Sequence, residues 1–251
     1  MKKVLFIALA LSTAVAAFDF SQADQFFANR EKNPSAIASA KALYQQALDT
    51  SGNKDEVLYA MEQFGRLSYY EGDLLTPQSD SNKRVEIFSK CMDNADKIQN
   101  IKPGAFYYWK TACMALWGKS ASWFSVAWRL SNLKDLINKG LTLNDSYEGG
   151  GMERVVANIQ VKSPSISGLI DHNAALIHIN SAIAKGPQYY GAYITKAEIL
   201  KALGREDEGI KLLEATKRDL EGKIRNNQLP KGLEPESKMF LLGIKAALAG
   251  N

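Results

Sequence analysis

ALIHINSAIAKGPQYYGAYITKAEILKALGREDEGIKLLEATKRDLE, residues 175–221, is the stretch on which the fold turns. Ala175, Ile179, Ala182 and Pro187 are answered thirty-four positions later by Gly209, Leu213, Thr216 and Glu221. Between the two sets stand Tyr193, Lys196, Ala197, Leu200 and Gly204. Small residues at helical spacing mark where two helices approach most closely, so the spacing reports packing rather than chemistry. A unit of this length cannot bury its apolar face alone and has to stack on its neighbours.

That period and those small positions match the tetratricopeptide (TPR) pattern, in which each unit is one antiparallel helix pair. Upstream, Ala40, Tyr44 and Ala47 repeat the spacing of its second helix, and Gly72 follows Gly65 as Gly204 follows Ala197. Asn33-Pro34 reads as an N-cap with proline at the first helical position. The helix behind it carries Ile37, Ala40, Tyr44, Ala47 and Leu48 on one face. After a polar loop over 76–82, Val85, Phe88, Met92 and Ala95 mark another amphipathic helix. Two more follow, over 103–118 and 121–140, the second ending at Gly140 as a helix C-terminal glycine. The run 145–152, DSYEGGGM, is turn-rich and opens a short helix. Asp171 then caps a helix that Gly186-Pro187 stops, and a last helix over 235–249 caps the array. No segment shows strand alternation. The expected fold is all-α: antiparallel helix hairpins of degenerate TPR-like repeats in one array, its period broken by insertions at 76–82 and 140–170.

The chain opens MKKVLFIALALSTAVAAF, with two lysines, an apolar run and then small residues. This reads as a secretory signal peptide over 1–17, followed by a single all-helical domain over 18–251 in the periplasm. The apolar run falls short of the roughly 20 residues that span a bilayer, although a permanent N-terminal anchor is the alternative. Without Lys2 and Lys3 the formal charge falls from +4 to about +2, too small a surplus to argue for nucleic acid.

The two cysteines, Cys91 and Cys113, would meet an oxidising compartment. Helices over 81–100 and 103–118 turn near residue 102, which puts both cysteines at the same height on adjacent helices. A disulfide is consistent with that placement if the faces also match, and would contribute roughly 3 kcal/mol. Two buried thiols packing as small hydrophobes are the other reading.

All four tryptophans, Trp109, Trp117, Trp123 and Trp128, fall in one stretch with Phe106, Tyr107, Tyr108 and Phe124. They read either as the wall of an apolar ligand channel or as an ordinary core between two helices. Eight aromatics on two short helices cannot all face one seam. Gly149-Gly150-Gly151 ahead of a helix would expose N–H groups to an anion, or form a tight turn that lets helices approach. Arg154, one turn later, would clamp a ligand carboxylate or pair with a nearby acid. His172 and His178 are six residues apart and share no helix face, so no metal site is expected. No serine–histidine–acid set and no zinc motif is visible, and neither catalysis nor a cofactor is expected.

Three segments carry a family resemblance: GAFYYWKTACMALWG, LNDSYEGGGMERVVANIQ and GLIDHNAALIHINSAIA, the last followed by the TPR-like C-terminal unit. Together they resemble the T-component (TatT-like) family of periplasmic proteins associated with TRAP transporters. Tyr147, Gly149, Gly150, Gly151 and Arg154 are the most family-specific residues. The resemblance implies an all-helical body of cryptic TPR-like hairpins with an apolar channel through the protomer. It also implies a periplasmic solute-binding protein of a TRAP system as partner, and extends to a hydrophobic small molecule as ligand and a homo-oligomer such as a trimer. Some members are lipoproteins, whereas no lipid-accepting cysteine follows the leader here.

The expected function is thus a non-enzymatic periplasmic accessory protein of a TRAP-type solute transport system. Tyr107, Trp109, Trp117, Trp123, Trp128 and Arg154 are its ligand-channel candidates. The alternative is a general TPR scaffold for protein–protein interaction in cell-envelope assembly, its groove holding a partner helix or extended peptide.

Overall fold

The computed structural model describes residues 17–33, 35–143, 146–230 and 232–250, with the Trp123 side chain left out. Apart from Ala17, the signal-peptide reading lies outside the described residues, and so do Pro34 and Asp145. Among the described residues there are eleven α-helices and no strand. They are α1 (Ser21–Ala28), α2 (Ser35–Thr50), α3 (Lys54–Tyr69), α4 (Ser81–Asp96), α5 (Pro103–Gly118) and α6 (Trp123–Thr142). After these come α7 (Gly151–Lys162), α8 (His172–Lys185), α9 (Gly191–Ala202), α10 (Glu206–Arg225) and α11 (Glu234–Ala249). None is long and apolar enough to cross a membrane.

Local chemistry explains where the helices start. The side chains of Asn53, Asp80, Ser122 and Asp171 accept hydrogen bonds from the first-turn N–H groups of Asp55, Lys83, Ser125 and Ala174. Each satisfies a donor that has no partner inside its helix. Pro103 opens α5, where no N–H is needed.

The ends hold two surprises. The helix expected to stop at Gly140 runs on to Thr142, because Gly140 serves packing instead: a Cβ there would lie 2.7 Å from the Met152 methyl of α7. Gly204 ends α9 in the left-handed region at φ 74°, whereas Gly72 sits inside a π-helical turn (Tyr70–Leu75) against the Phe88 ring. The two glycines share a sequence offset and do different work.

Each helix packs on the next, and the odd-numbered helices also touch one another in the order α3, α5, α7, α9, α11. Their residue numbers rise together along the contacts. Gly65 meets Trp109 and Asp73 meets Lys119, while Asn158 bonds Thr195 and Lys162 bonds Glu198. The odd helices therefore run parallel as an inner layer, and α2, α4, α6, α8 and α10 lie outside it.

The layer closes on itself through residues far apart in the chain. Arg30, buried after α1, bonds the Gly232 carbonyl at 3.1 Å and Glu236 of α11 at 2.7 Å, and Lys238 pairs with Glu31 at 2.9 Å. Cys91 of α4 and Cys113 of α5 are joined in a disulfide with Cα atoms 6.0 Å apart. Around it Tyr44, Phe64, Leu67, Phe88 and Met92 form the main apolar core, and two smaller cores lie among α7–α11.

Candidate functional site

The closed inner layer surrounds a cavity of about 310 Å³. Each inner helix supplies part of the wall: Arg66 and Tyr69 from α3, Trp109 and Leu116 from α5, Val155 and Ile159 from α7. Ile194 and Thr195 come from α9, and Glu236 and Phe240 from α11. The middle of the wall is mostly apolar, and charged groups gather at its two ends, the usual division in a small-molecule site.

One end is built on the turn before α7. Glu148, Gly149 and Gly150 follow one another in the left-handed region, at φ 51°, 56° and 76°. A Cβ on Gly149 would lie 3.0 Å from the Gly186 Cα, and one on Gly150 would lie 3.0 Å from the Ala182 Cα, so glycine is needed for conformation and for space. Glu148 has a Cβ and holds this costly conformation because its groups are tied from three sides. Its carboxylate receives Arg66 at 2.6 Å and the Tyr189 hydroxyl at 2.5 Å, and its carbonyl receives Arg154 at 2.7 Å. Arg154 also bonds the Gly149 carbonyl at 2.7 Å and stacks 3.9 Å from the Tyr189 ring centroid.

Burial works against the charge on Arg66, but Glu148 outweighs it and holds the guanidinium above its ordinary value. Burial and the bond to Glu148 both push the Tyr189 phenol up.

Tyr147 braces this turn from behind. Its hydroxyl donates to Glu62 at 2.8 Å and accepts from the Trp109 indole N–H at 2.9 Å. Burial raises the Glu62 carboxyl, with the Tyr147 hydrogen bond pulling the other way. Tyr108 lies with its ring 5.5 Å from that of Tyr147 and 4.8 Å from that of Trp109.

The opposite end is formed by Asp73, Lys119 and Lys162. Asp73 pairs with Lys119 at 2.8 Å and with Arg84 at 2.9 Å. Arg84 is fully buried behind the wall, donating to the Gly72 and Thr76 carbonyls and to the Ser120 hydroxyl. Burial alone would raise the Asp73 carboxyl, but Lys119 and Arg84 outweigh it and hold it below its ordinary value. Lys119 and Lys162 are exposed, which makes this end the mouth.

Of the candidates read from the sequence, Trp109 and Arg154 meet in the cavity wall. Tyr107 packs edge-on against Phe106, its ring outside the wall. Trp117 is buried with the Arg129 guanidinium 4.6 Å above its ring, away from the cavity. Trp128 stands 88% exposed on α6. The side chain of Trp123 lies outside the described residues. Gly149, Gly150 and Gly151 shape the turn, and Tyr147 and Arg154 hold it.

Sequence reading passed over Arg66, Tyr69, Glu148 and Tyr189, all in the wall. Glu148 had a signal of its own, as a charged residue set inside a tyrosine–glycine turn. Tyr69 and Tyr189 had none, because a tyrosine on an apolar helix face or in the turn between two helices is ordinarily a packing residue. Among the described residues no three His, Cys, Asp or Glu side chains are grouped to hold a metal ion.

No protein-family model matches this chain, and no curated protein is similar enough to count as a relative. Fold and site together define a class: an all-helical protein whose inner helices enclose a central cavity.

Proposed function

We propose that this chain is a non-enzymatic periplasmic accessory protein of a TRAP-type solute transport system, built from degenerate TPR-like hairpins. It holds an apolar ligand in its central cavity and docks a periplasmic solute-binding protein. The observation that carries this reading is the cavity itself, walled by five helices and apolar through its middle. The alternation of inner and outer helices supports the TPR-like description. The resemblance of residues 143–160 to T-component proteins supports the TRAP association. The Cys91–Cys113 disulfide accords with an oxidising compartment.

Native mass spectrometry of the purified protein tests the ligand. A bound small molecule is expected in the natural chain and is expected to be lost in Leu116→Trp, which fills the cavity. Capture of a solute-binding receptor from a native envelope extract tests the partner. An empty natural chain that captures only assembly factors sinks the reading.

One observation favours a second function, a general TPR scaffold in cell-envelope assembly. Phe124 and Trp128 are 81% and 88% exposed, one turn apart on α6, outside the cavity. Exposed large aromatics of this kind suit a protein contact. Loss of a captured partner in Phe124→Ala/Trp128→Ala, with ligand binding intact, would separate the two functions.

A further inference from the structure

The cavity is chemically lopsided, and the asymmetry says what its ligand looks like. This inference rests on the ligand-cavity reading above. Every carboxylate in the wall is already answered: Glu148 by Arg66 and Tyr189, Glu236 by Arg30, Asp73 by Arg84 and Lys119. No acid is left to receive a cation.

Arg154 differs. Among the described residues no acid side chain pairs with it, and its terminal nitrogens are steadied by the carbonyls of Glu148 and Gly149. A guanidinium has five N–H donors in a planar fork, so these two bonds and one to Tyr108 leave the remainder for a ligand. Tyr108 lies beside it, and Arg154 draws that phenol down against the upward push of burial. Arg154 also donates a hydrogen bond to the Tyr108 phenol, whose own O–H is still left to donate, and among the described residues the Tyr69 hydroxyl makes no hydrogen bond within the protein; both tyrosines line the cavity. Donors therefore outnumber acceptors at this end. Glu62, the other acid nearby, is outside the wall and engaged by Tyr147.

The rest of the cavity has the opposite character. From Arg154 to Lys162 is eight residues of α7, a span of about 12 Å. Along it Ala112, Leu116, Val155 and Ile159 present apolar surface. At the mouth both lysines are matched, Lys119 by Asp73 and Lys162 by Glu198 at 2.9 Å, so a second acidic head has no cation waiting there.

We propose that the cavity takes an amphipathic monoanion. Its acidic head is bound by Arg154 and Tyr108, and its apolar body lies along α5 and α7 toward the mouth. Charge-assisted hydrogen bonds from a guanidinium are the strong kind, and they select an anionic head over a neutral one of the same length.

Calorimetric titration of the purified chain with decanoate, decan-1-ol and decyltrimethylammonium tests this. Decanoate is expected to bind, decanol about ten-fold or more weakly, and the cation not at all. Arg154→Gln is expected to remove most of the preference for decanoate. Because Arg154 also holds the turn, Tyr108→Phe serves as the second variant. It keeps the ring and is expected to weaken decanoate several-fold while leaving decanol unchanged. Leu116→Trp is expected to abolish both. Equal binding of decanol and decanoate, or a preference untouched by Arg154→Gln and Tyr108→Phe, overturns the head-group inference and leaves the cavity reading standing. If no amphiphile binds the natural chain, the cavity reading falls with it.

Discussion

Helices α5 and α6 are neighbours in sequence and in space, both rich in aromatics, and they meet different fates. In α5, Phe106, Trp109 and Trp117 are buried, and Trp109 reaches the cavity. In α6, Phe124 and Trp128 face solvent, and only the C-terminal half, at Leu133 and Ile137, is buried. The cause is position in the stack. Helix α5 is packed by α3, α4, α6 and α7, whereas α6 packs mainly on α5 and α7, with Arg129 alone seen to reach Met92 of α4 among the described residues. Aromatic content alone does not locate a site; the number of sides on which a helix is covered does.

Three substitutions probe that contrast. The largest effect is expected from Asp73→Asn on the inner side, which leaves the buried Arg84 without its counter-ion. Breaking a buried pair by removing one partner costs about 3 kcal/mol or more, read as a fall in the urea midpoint at neutral pH. The pH dependence supplies a second readout. The natural Asp73 carboxyl is held below its ordinary value of 3.8, so its contribution is complete above the ordinary carboxylate range. That contribution is lost as pH falls through the ordinary value and then the lowered one. Asp73→Asn is expected to flatten that acid limb; an unchanged limb would mean the pair adds nothing.

A smaller effect belongs to Gly65 on α3. A Cβ there would lie 2.5 Å from the Trp109 ring, and the hydrogen bond from Trp109 to Tyr147 keeps the ring from moving aside. Gly65→Ala is expected to cost about 2 kcal/mol by overpacking, measured in the same melts. The smallest is Trp128→Ala on α6, where an exposed side chain leaves without opening a cavity. Its effect is expected within about 0.5 kcal/mol, and a larger loss would show that α6 is covered in a way its exposure does not reveal.

Much of the secondary structure was legible because it is local. Asp171 caps α8, Gly186 ends it and Pro103 opens α5, each acting within one turn of itself. The buried faces of α2 and α4 follow helical spacing for the same reason, with Ile37, Ala40, Tyr44, Ala47 and Leu48 on one and Phe88, Met92 and Ala95 on the other. Gly140 was misread because a glycine near a helix end looks the same whether it serves as a cap or as a contact, and Met152 decides which. Of the site, Trp109 and Arg154 could be named in advance, but not Tyr69 or Tyr189.

By itself, then, the sequence determined an all-helical chain, many of its helix ends and the apolar faces of α2 and α4. Backbone capping and the helical period act over a few residues, so a linear reading reaches them. Only the tertiary structure decided which apolar faces enclose a cavity and which look outward. That depends on Arg30 reaching Glu236 across 206 positions, Arg66 reaching Glu148 across 82 and Trp109 reaching Tyr147 across 38. Such contacts arise from packing angles summed over many helices, and no local pattern carries them.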